Sequence, residues 1–237
     1  MSADALRPNA HVLFALPDEA KPFFGVAGSL CGSVTVSGVG AKNTEVAVHK
    51  IVERYGNAGS LIVIGFCGGL VSEAVVGSLV VVESVCTANR NGEVLKADSL
   101  LLEAAESVRI TGSRMLRGAM VSVPRVLVSV EEKAQCHRES GAIAVDMETY
   151  SAARTANECG LRWMGVRVVT DGAEQPLPID FNAFADECGN PDRGKIAMGV
   201  LLRPWLIPSL IRLGRHSSRG ARLLKEFLVP FLNTFPG

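Results

Sequence analysis

Apolar and polar residues alternate along the chain with two distinct periods. Apolar runs, or strict two-residue alternation, predict strands at residues 11–16, 33–37, 61–64, 77–82, 118–123, 144–148 and 166–171. Between them, helical composition and spacing occur at residues 41–55, 97–108 and 149–159. Strands that interleave with helices in this way predict an α/β protein with a mixed central sheet covered by helices on both faces, a three-layer αβα arrangement.

Length and composition predict a single domain. The chain has 237 residues, of which 48% are apolar, and this is enough to bury one large core over residues 1–237. The apolar run at residues 12–16 is too short for the core of a signal peptide. The later apolar stretch, 196–213, is interrupted by Arg203, Pro204 and Pro208, so a membrane-spanning helix is not predicted.

Charge and residue type exclude several classes of function. The net charge is zero, which argues against a nucleic-acid-binding protein. The six cysteines lie far apart and the four histidines have no metal-ligand spacing, so neither a disulfide framework nor a metal site is predicted. We therefore expect a cytoplasmic protein with reduced cysteines that uses neither a metal nor an organic cofactor.

Two of the predicted strands end in carboxylates. Glu148 ends the run Ala144-Val145-Asp146-Met147-Glu148, and Asp171 ends the run at residues 166–171. In open α/β sheets, ligands bind beyond the carboxyl ends of the strands, so both acids would face one pocket. Glu19 follows the first strand in the same manner. The alternative is that these acids are solvated side chains of loops or first helical turns.

Glycines follow two of the predicted strands. Residues 65–69 read Gly-Phe-Cys-Gly-Gly, and a turn there would leave backbone N–H groups free for an anionic or hydroxyl-rich ligand. Cys67 is expected to be a small packed residue rather than a nucleophile, because no histidine lies near it in sequence. The Gly-Val-Gly segment at residues 38–40 is either a ligand-binding loop or a tight turn that needs positive φ.

Five segments in the same order resemble the superfamily of purine nucleoside phosphorylases and 5′-methylthioadenosine/S-adenosylhomocysteine nucleosidases. They are Ala15-Leu16-Pro17-Asp18-Glu19, Ser37-Gly38-Val39-Gly40-Ala41-Lys42, Gly65-Phe66-Cys67-Gly68-Gly69-Leu70, Ala144-Val145-Asp146-Met147-Glu148 and Val168-Val169-Thr170-Asp171. The Asp-Met-Glu element and the strand-terminal Thr-Asp are the most specific parts of this match. The segment 202–224 resembles the tail of the hopanoid-associated members, which are described as removing adenine from adenosylhopane.

The resemblance implies a role for each acid. Asp171, with Thr170 beside it, would donate a proton to N7 of the purine, which requires a carboxyl group that burial keeps protonated. Glu148 would accept hydrogen bonds from the ribose 2′- and 3′-hydroxyls, with Met147 packed on the sugar. Glu19 would orient or deprotonate the attacking water. The remaining substrate-binding residues implied by the match are Cys67, Gly68 and Val126.

The choice between water and phosphate as nucleophile rests on charge. Phosphorylases of this superfamily carry an arginine two residues before the first glycine of the 65–69 segment, and here that position is Val63. Phosphate would lack this cation and would be repelled by Glu19, so hydrolysis is favoured. The resemblance thus implies a nucleosidase that releases adenine from a 5′-substituted adenosine, in nucleoside catabolism and methionine salvage or in hopanoid biosynthesis. The alternatives are a phosphate-dependent purine nucleoside phosphorylase and a catalytically silent nucleoside-binding module.

The base pocket departs from the family pattern. Val126 stands where nucleosidases offer an aromatic side chain, which would weaken stacking on the base. Phe66 and Cys67 replace the small hydroxyl residues that are common in the glycine segment. The identity of the base is therefore less firmly implied than the type of bond that is broken.

The segment at about residues 195–232 is basic and amphipathic. It contains seven Lys or Arg residues and one acid, with Leu202, Trp205, Leu206, Leu210 and Leu213 on the apolar side. It would contact an anionic membrane surface, making the protein peripheral at the inner membrane face, or cover a long apolar 5′ substituent. The alternative is a core-packing helix with a solvated basic face. The resemblance also implies a homodimer.

Overall fold

Eight strands form one mixed sheet among the residues that this computed structural model describes, 10–26, 30–88, 92–184 and 206–234. They are β1 (Ala10–Phe14), β2 (Ser33–Val36), β3 (Ser60–Gly69), β4 (Leu79–Thr87), β5 (Leu95–Lys96), β6 (Met115–Ser122), β7 (Ala144–Asp146) and β8 (Arg162–Asp171). The strand order is β2-β1-β3-β7-β6-β4-β5, and β8 pairs with both β3 and β4. Strands β3, β7, β6, β4 and β8 therefore close into a ring.

Helices cover the sheet on both faces. They are α1 (Pro17–Phe24), α2 (Ala41–Tyr55), α3 (Ser99–Ser107), α4 (Val130–Ser140), α5 (Thr149–Glu158) and α6 (Ile207–Asn233), with a short 3₁₀ helix at Phe181–Phe184. Helices α1, α3 and α6 pack one core against the sheet, and α2 and α5 pack a second core on the opposite side. The predicted αβα fold with a mixed sheet is confirmed.

Strand directions explain how the acids come together. Strands β1, β3 and β8 are parallel, so Glu19 and Asp171 follow the carboxyl ends of strands at one edge of the sheet. Strand β7 is antiparallel to β3, and its Ala144 lies opposite Gly69 at the end of β3. On its other side β7 pairs in parallel with β6, as a mixed sheet allows. Glu148 reaches the same edge because β7 begins there and is only 3 residues long.

The glycine segment at residues 65–69 belongs to β3, so the turn expected there is wrong. Its glycines provide room for neighbouring groups instead. A Cβ atom at Gly65 would overlap the guanidinium of Arg167 and lie 2.8 Å from Oε1 of Glu19. At residues 38–40, by contrast, Gly38 and Gly40 have φ of 87° and 91°, as a tight turn before α2 requires.

The C-terminal segment is described from residue 206 onward, so Leu202 and Trp205 of the predicted apolar face lie outside the described residues. The described part is one helix, α6. Its second half packs into the core and buries Gly220, Ala221, Leu223, Leu224, Phe227, Leu228, Phe231 and Leu232. The arginines at positions 212, 215, 219 and 222 are exposed, as expected for a core-packing helix with a solvated basic face. Within the described chain, no helix combines the length and apolar character needed to span a membrane.

Candidate active site

A cavity of about 560 Å³ lies where β1, β3 and β8 end, and its volume is in the range of small-molecule sites. The structure brings together all eight predicted site residues in its lining. They are Glu19, Cys67, Gly68, Val126, Met147, Glu148, Thr170 and Asp171. The three acids that are widely separated in sequence thus face one space of nucleoside size.

Glu19 is held in the first turn of α1 by backbone donors. Its Oε2 accepts hydrogen bonds from the N–H groups of Ala15 (2.9 Å) and Leu16 (2.8 Å), so the side chain caps its own helix. Its Oε1 accepts from the N–H of Phe66 at 2.8 Å. Burial raises the pKa of Glu19, while Arg167 and these three donors act in the opposite direction.

Glu148 occupies the position immediately before α5. Its Oε1 accepts a hydrogen bond from the N–H of Gly40 at 2.8 Å, and its Oε2 lies 3.9 Å from Nη2 of Arg167. The tight turn at residues 38–40 therefore also positions a candidate ligand-binding acid. Burial raises the pKa of Glu148 to about 7, against the effect of Arg167, and the negative charges of Asp146 and Glu19 add to the rise.

Asp171 ends β8 in contact with a buried lysine. Nζ of Lys133 donates to Oδ2 of Asp171 at 2.6 Å, and the Thr170 hydroxyl donates to Oδ1 at 3.0 Å. The Lys133 side chain is 1% exposed and the Asp171 side chain is 14% exposed. The sequence implied a buried carboxyl group, and the structure adds a buried cation in direct contact with it.

Arg167 is a buried cation beneath the cavity. Its Nη2 lies 2.6 Å from Oδ2 of Asp146, and both side chains are 1% exposed. The same guanidinium donates to the Thr149 hydroxyl oxygen at 2.9 Å and 3.1 Å. Asp146 also accepts from the Ser122 hydroxyl at 2.5 Å, and from the Thr149 hydroxyl and N–H. One positive charge is thus shared among Asp146, Glu148 and Glu19.

Two of these residues, Arg167 and Lys133, received no role from the sequence. The sequence did contain a signal for Arg167, because it is a charged residue within the apolar run of β8. A strand that is buried on both faces can contain an arginine only if other groups pair with its charge. On α4, Lys133 lies three positions before the buried Cys136, which places both on the inward face of the helix. Neither pattern identifies the partner acid.

One wall of the cavity contains a pairing between a side chain and the backbone of Val126. Oδ1 of Asn182 accepts from the Val126 N–H at 2.8 Å, and Nδ2 of Asn182 donates to the Val126 carbonyl at 3.0 Å.

Cys67 lines the cavity as a packed thiol: burial raises its pKa well above the ordinary value.

Comparisons with known proteins agree with this geometry. The profile of the Phosphorylase superfamily matches residues 17–191. A 5′-methylthioadenosine/S-adenosylhomocysteine nucleosidase of Shewanella baltica is 22% identical over 233 residues, covering 88% of this chain and 97% of the relative. A DeoD-type purine nucleoside phosphorylase of Geobacillus kaustophilus is 26% identical over 165 residues, covering 65% of this chain and 70% of the relative.

The fold has a close counterpart among solved structures. The 5′-methylthioadenosine/S-adenosylhomocysteine nucleosidase of Neisseria meningitidis, solved in complex with methylthio-immucillin-A, superposes with a TM-score of 0.71 at 18% sequence identity. The superposition covers 95% of this chain and 99% of that one. Because the superfamily profile matches most of the chain, the resemblance noted in the sequence is confirmed: the protein belongs to the phosphorylase superfamily.

Proposed function

We propose that the protein is a nucleosidase that hydrolyses the N-glycosidic bond of a 5′-substituted adenosine and releases adenine. The observation that carries this proposal is the convergence of Glu19, Glu148 and Asp171 on one cavity of nucleoside size. The nucleosidase and phosphorylase relatives support the class of reaction.

Each acid has surroundings suited to a different task. Glu148 is fixed through Oε1 by Gly40, which leaves lone pairs on Oε2 for the hydroxyls of a ribose. Glu19 is fixed by three backbone donors and still lines the cavity, so it is placed to orient a water molecule. Asp171 lines the same cavity as Val126, and in this proposal it protonates the leaving purine.

Charge favours water over phosphate. Val63 is buried in β3 and supplies no cation. The cations that line the cavity or lie beneath it in the described chain are paired, Arg125 with Glu132, Lys133 with Asp171 and Arg167 with Asp146. Two like unit charges about 4 Å apart repel by about 4 kcal/mol at an effective dielectric constant of about 20, so a phosphate dianion would be disfavoured beside Glu19 and Glu148 when these acids are ionised.

The test is release of adenine from 5′-methylthioadenosine in buffer free of phosphate. We expect free adenine and free 5-methylthioribose, at a rate that added phosphate does not increase. Adenine that forms only with phosphate, together with a sugar 1-phosphate, would instead establish a phosphorylase. Binding without release of adenine from any 5′-substituted adenosine would establish a silent binding module.

A second cavity supports a long apolar 5′ substituent, of the adenosylhopane type, as the finer substrate class. This cavity of about 510 Å³ lies between α1 and α6. It shares four lining residues with the first cavity, Phe66, Phe181, Leu213 and Ser217. Its wall is extended on one side by the apolar groups of Pro22, Leu210 and Ala221, and the other side is polar, formed by Asp18, Lys21 and Ser218. A hydrocarbon chain buried there would gain about 25 cal/mol for each Å² removed from water.

Gly214→Phe is expected to discriminate between short and long 5′ substituents. Gly214 lines the second cavity, and a Cβ atom there meets nothing within 4 Å, so the aromatic ring would fill the cavity without disturbing α6. We expect kcat/KM for adenosines with long 5′-alkyl groups to fall by about tenfold or more, equivalent to about 1.4 kcal/mol. Activity on 5′-methylthioadenosine should be unchanged in Gly214→Phe, and Gly214→Ala should match the unsubstituted protein on both substrates. Equal losses on both substrates would contradict this substrate class.

Binding of nucleosides is expected to weaken as the pH falls below about 7. Because the pKa of Glu148 is raised to about 7, the carboxyl group is mostly protonated below that pH and loses an acceptor that the ribose hydroxyls need. Titration calorimetry with a non-hydrolysable 5′-methylthioadenosine analogue should show up to about a tenfold rise in Kd per pH unit below 7 and a constant Kd above it. In Glu148→Gln this dependence should disappear. If the variant keeps it, another group is responsible.

We also propose that the protein is a cytoplasmic homodimer that contacts anionic membrane surfaces through the start of α6. There, Ile207 and Ile211 are 43% and 50% exposed, one helical turn apart, with Arg212 and Arg215 also exposed. Co-sedimentation with phosphatidylserine vesicles but not with phosphatidylcholine vesicles is expected, and its loss in Ile207→Ser/Ile211→Ser would locate the contact. A monomer mass in sedimentation equilibrium would contradict the dimer.

A further inference from the structure

The buried Lys133 is a charged group that the proposed reaction has not yet used. Its ammonium donates to three acceptors, Oδ2 of Asp171 (2.6 Å), the carbonyl of Gly172 (2.8 Å) and the carbonyl of Gln175 (2.8 Å). It lines the same cavity as Asp171 while its side chain is 1% exposed. A buried lysine is costly unless it is paired, and this one is paired with the residue that we place at the leaving base.

Of the side chains that hydrogen-bond to Asp171 in the described chain, Lys133 is the one that carries a positive charge. The Thr170 hydroxyl donates to Oδ1 of Asp171, and so occupies the other carboxylate oxygen. Glu132, the neighbour of Lys133 on α4, is engaged by Arg125 and by the backbone N–H groups of residues 128 and 129. An ionised Asp171 has no proton to give, whereas the ammonium 2.6 Å from it has three.

We propose that Lys133 is the positioning residue of the acid: it orients Asp171 and supplies the proton that Asp171 passes to N7 of the departing adenine. This inference rests on the proposed nucleosidase function. As the N-glycosidic bond breaks, its electron pair goes to the base. N7 takes a proton through Asp171, and the ammonium of Lys133 becomes a neutral amine. The water that attacks the sugar releases a proton, and solvent returns one to Lys133 after the products leave.

Both protonation states of Lys133 fit the observed geometry. The ammonium has three N–H donors for its three acceptors. The neutral amine keeps two donors for the carbonyls of Gly172 and Gln175 and turns its lone pair toward Asp171.

The experiment compares two leaving groups in two variants. Lys133→Met removes both the charge and the proton, whereas Lys133→Arg keeps the charge but cannot give up a proton. 5′-Methylthioadenosine needs protonation of its base, and 4-nitrophenyl β-ribofuranoside does not, because nitrophenolate is a stable leaving anion. The matched control is Arg138→Met, which removes an exposed cation from the same helix.

We expect both Lys133 variants to lose about 10²- to 10⁴-fold in kcat on 5′-methylthioadenosine with KM little changed, and to keep activity on the nitrophenyl riboside. Arg138→Met should match the parent protein on both substrates. Recovery of kcat in Lys133→Arg would contradict the proposal that Lys133 supplies the proton, since a positive charge alone would then be sufficient. Equal losses on both substrates in Lys133→Arg would also overturn it, as would parental activity in Lys133→Met. If the parent protein itself releases no adenine, it is the proposed nucleosidase function that fails.

Discussion

Asp171→Asn is expected to lower kcat on 5′-methylthioadenosine by about 10²- to 10⁴-fold while the chain remains folded. The amide has nearly the same shape as the carboxyl group, and its oxygen can still accept the hydrogen bond from Lys133, but it cannot relay a proton to the base. The measurement is the initial rate of adenine release, with circular dichroism to verify the fold.

The matched control for this prediction is Asp98→Asn. Asp98 caps α3 by accepting hydrogen bonds from the N–H groups of Leu100 and Leu101, and asparagine is an equally good N-cap. Asp98 does not line the cavity, so the activity of the Asp98→Asn variant should equal that of the parent protein. Full activity in Asp171→Asn would remove this residue from the role of acid.

Arg167→Met is expected to lower the free energy of unfolding by about 3–5 kcal/mol at pH 8. Methionine replaces the aliphatic stem, but the carboxylates of Asp146, Glu148 and Glu19 would then be buried without their shared cation. This is a large part of the roughly 5–15 kcal/mol that stabilises a typical domain. Urea unfolding of both proteins at the same pH would measure the difference.

The destabilisation should be smaller at pH 5.5 than at pH 8. Burial already raises the pKa values of Glu19 and Glu148, and removal of Arg167 takes away an opposing effect, so both acids become neutral as the pH falls. Neutral carboxyl groups do not need the cation. The control is Arg117→Met, whose partners Glu83 and Glu106 are exposed, and there we expect a loss of less than about 1 kcal/mol at either pH. Equal losses for the two arginines would contradict the buried charge cluster.

Local periodicity predicted most of this fold because most helices bury one face and the central strands β1, β3 and β8 are largely apolar runs. Helix α2 has the predicted bounds, and β8 and α5 differ from prediction by a few residues. The acids were found because each follows a strand, although β7 turned out to run antiparallel to β3. Helix α4 was not predicted, since it buries few residues, among them Lys133 and Cys136, and so lacks an apolar stripe.

The charged contacts of the site could not be predicted in the same way. A glycine in a sequence indicates either a turn or a place where a neighbouring group comes too close for a side chain. Only the positions of Arg167 and Glu19 show that Gly65 is of the second kind. The pairing of Lys133 with Asp171 joins residues 38 positions apart. Nothing local to either residue specifies that contact, because it depends on how α4 packs against the end of β8.

The position of β8 has a consequence for biosynthesis. It is the last strand of the described sheet to be translated, yet it is inserted between β3 and β4, which are made much earlier. Until it emerges from the ribosome, both earlier strands have an open edge able to pair with another nascent chain. Arg167 and Asp171 lie on β8 itself, so closure of the ring and assembly of the charged groups at the cavity would be one late event. A chain arrested before residue 162 would have neither a closed ring of strands nor these two residues.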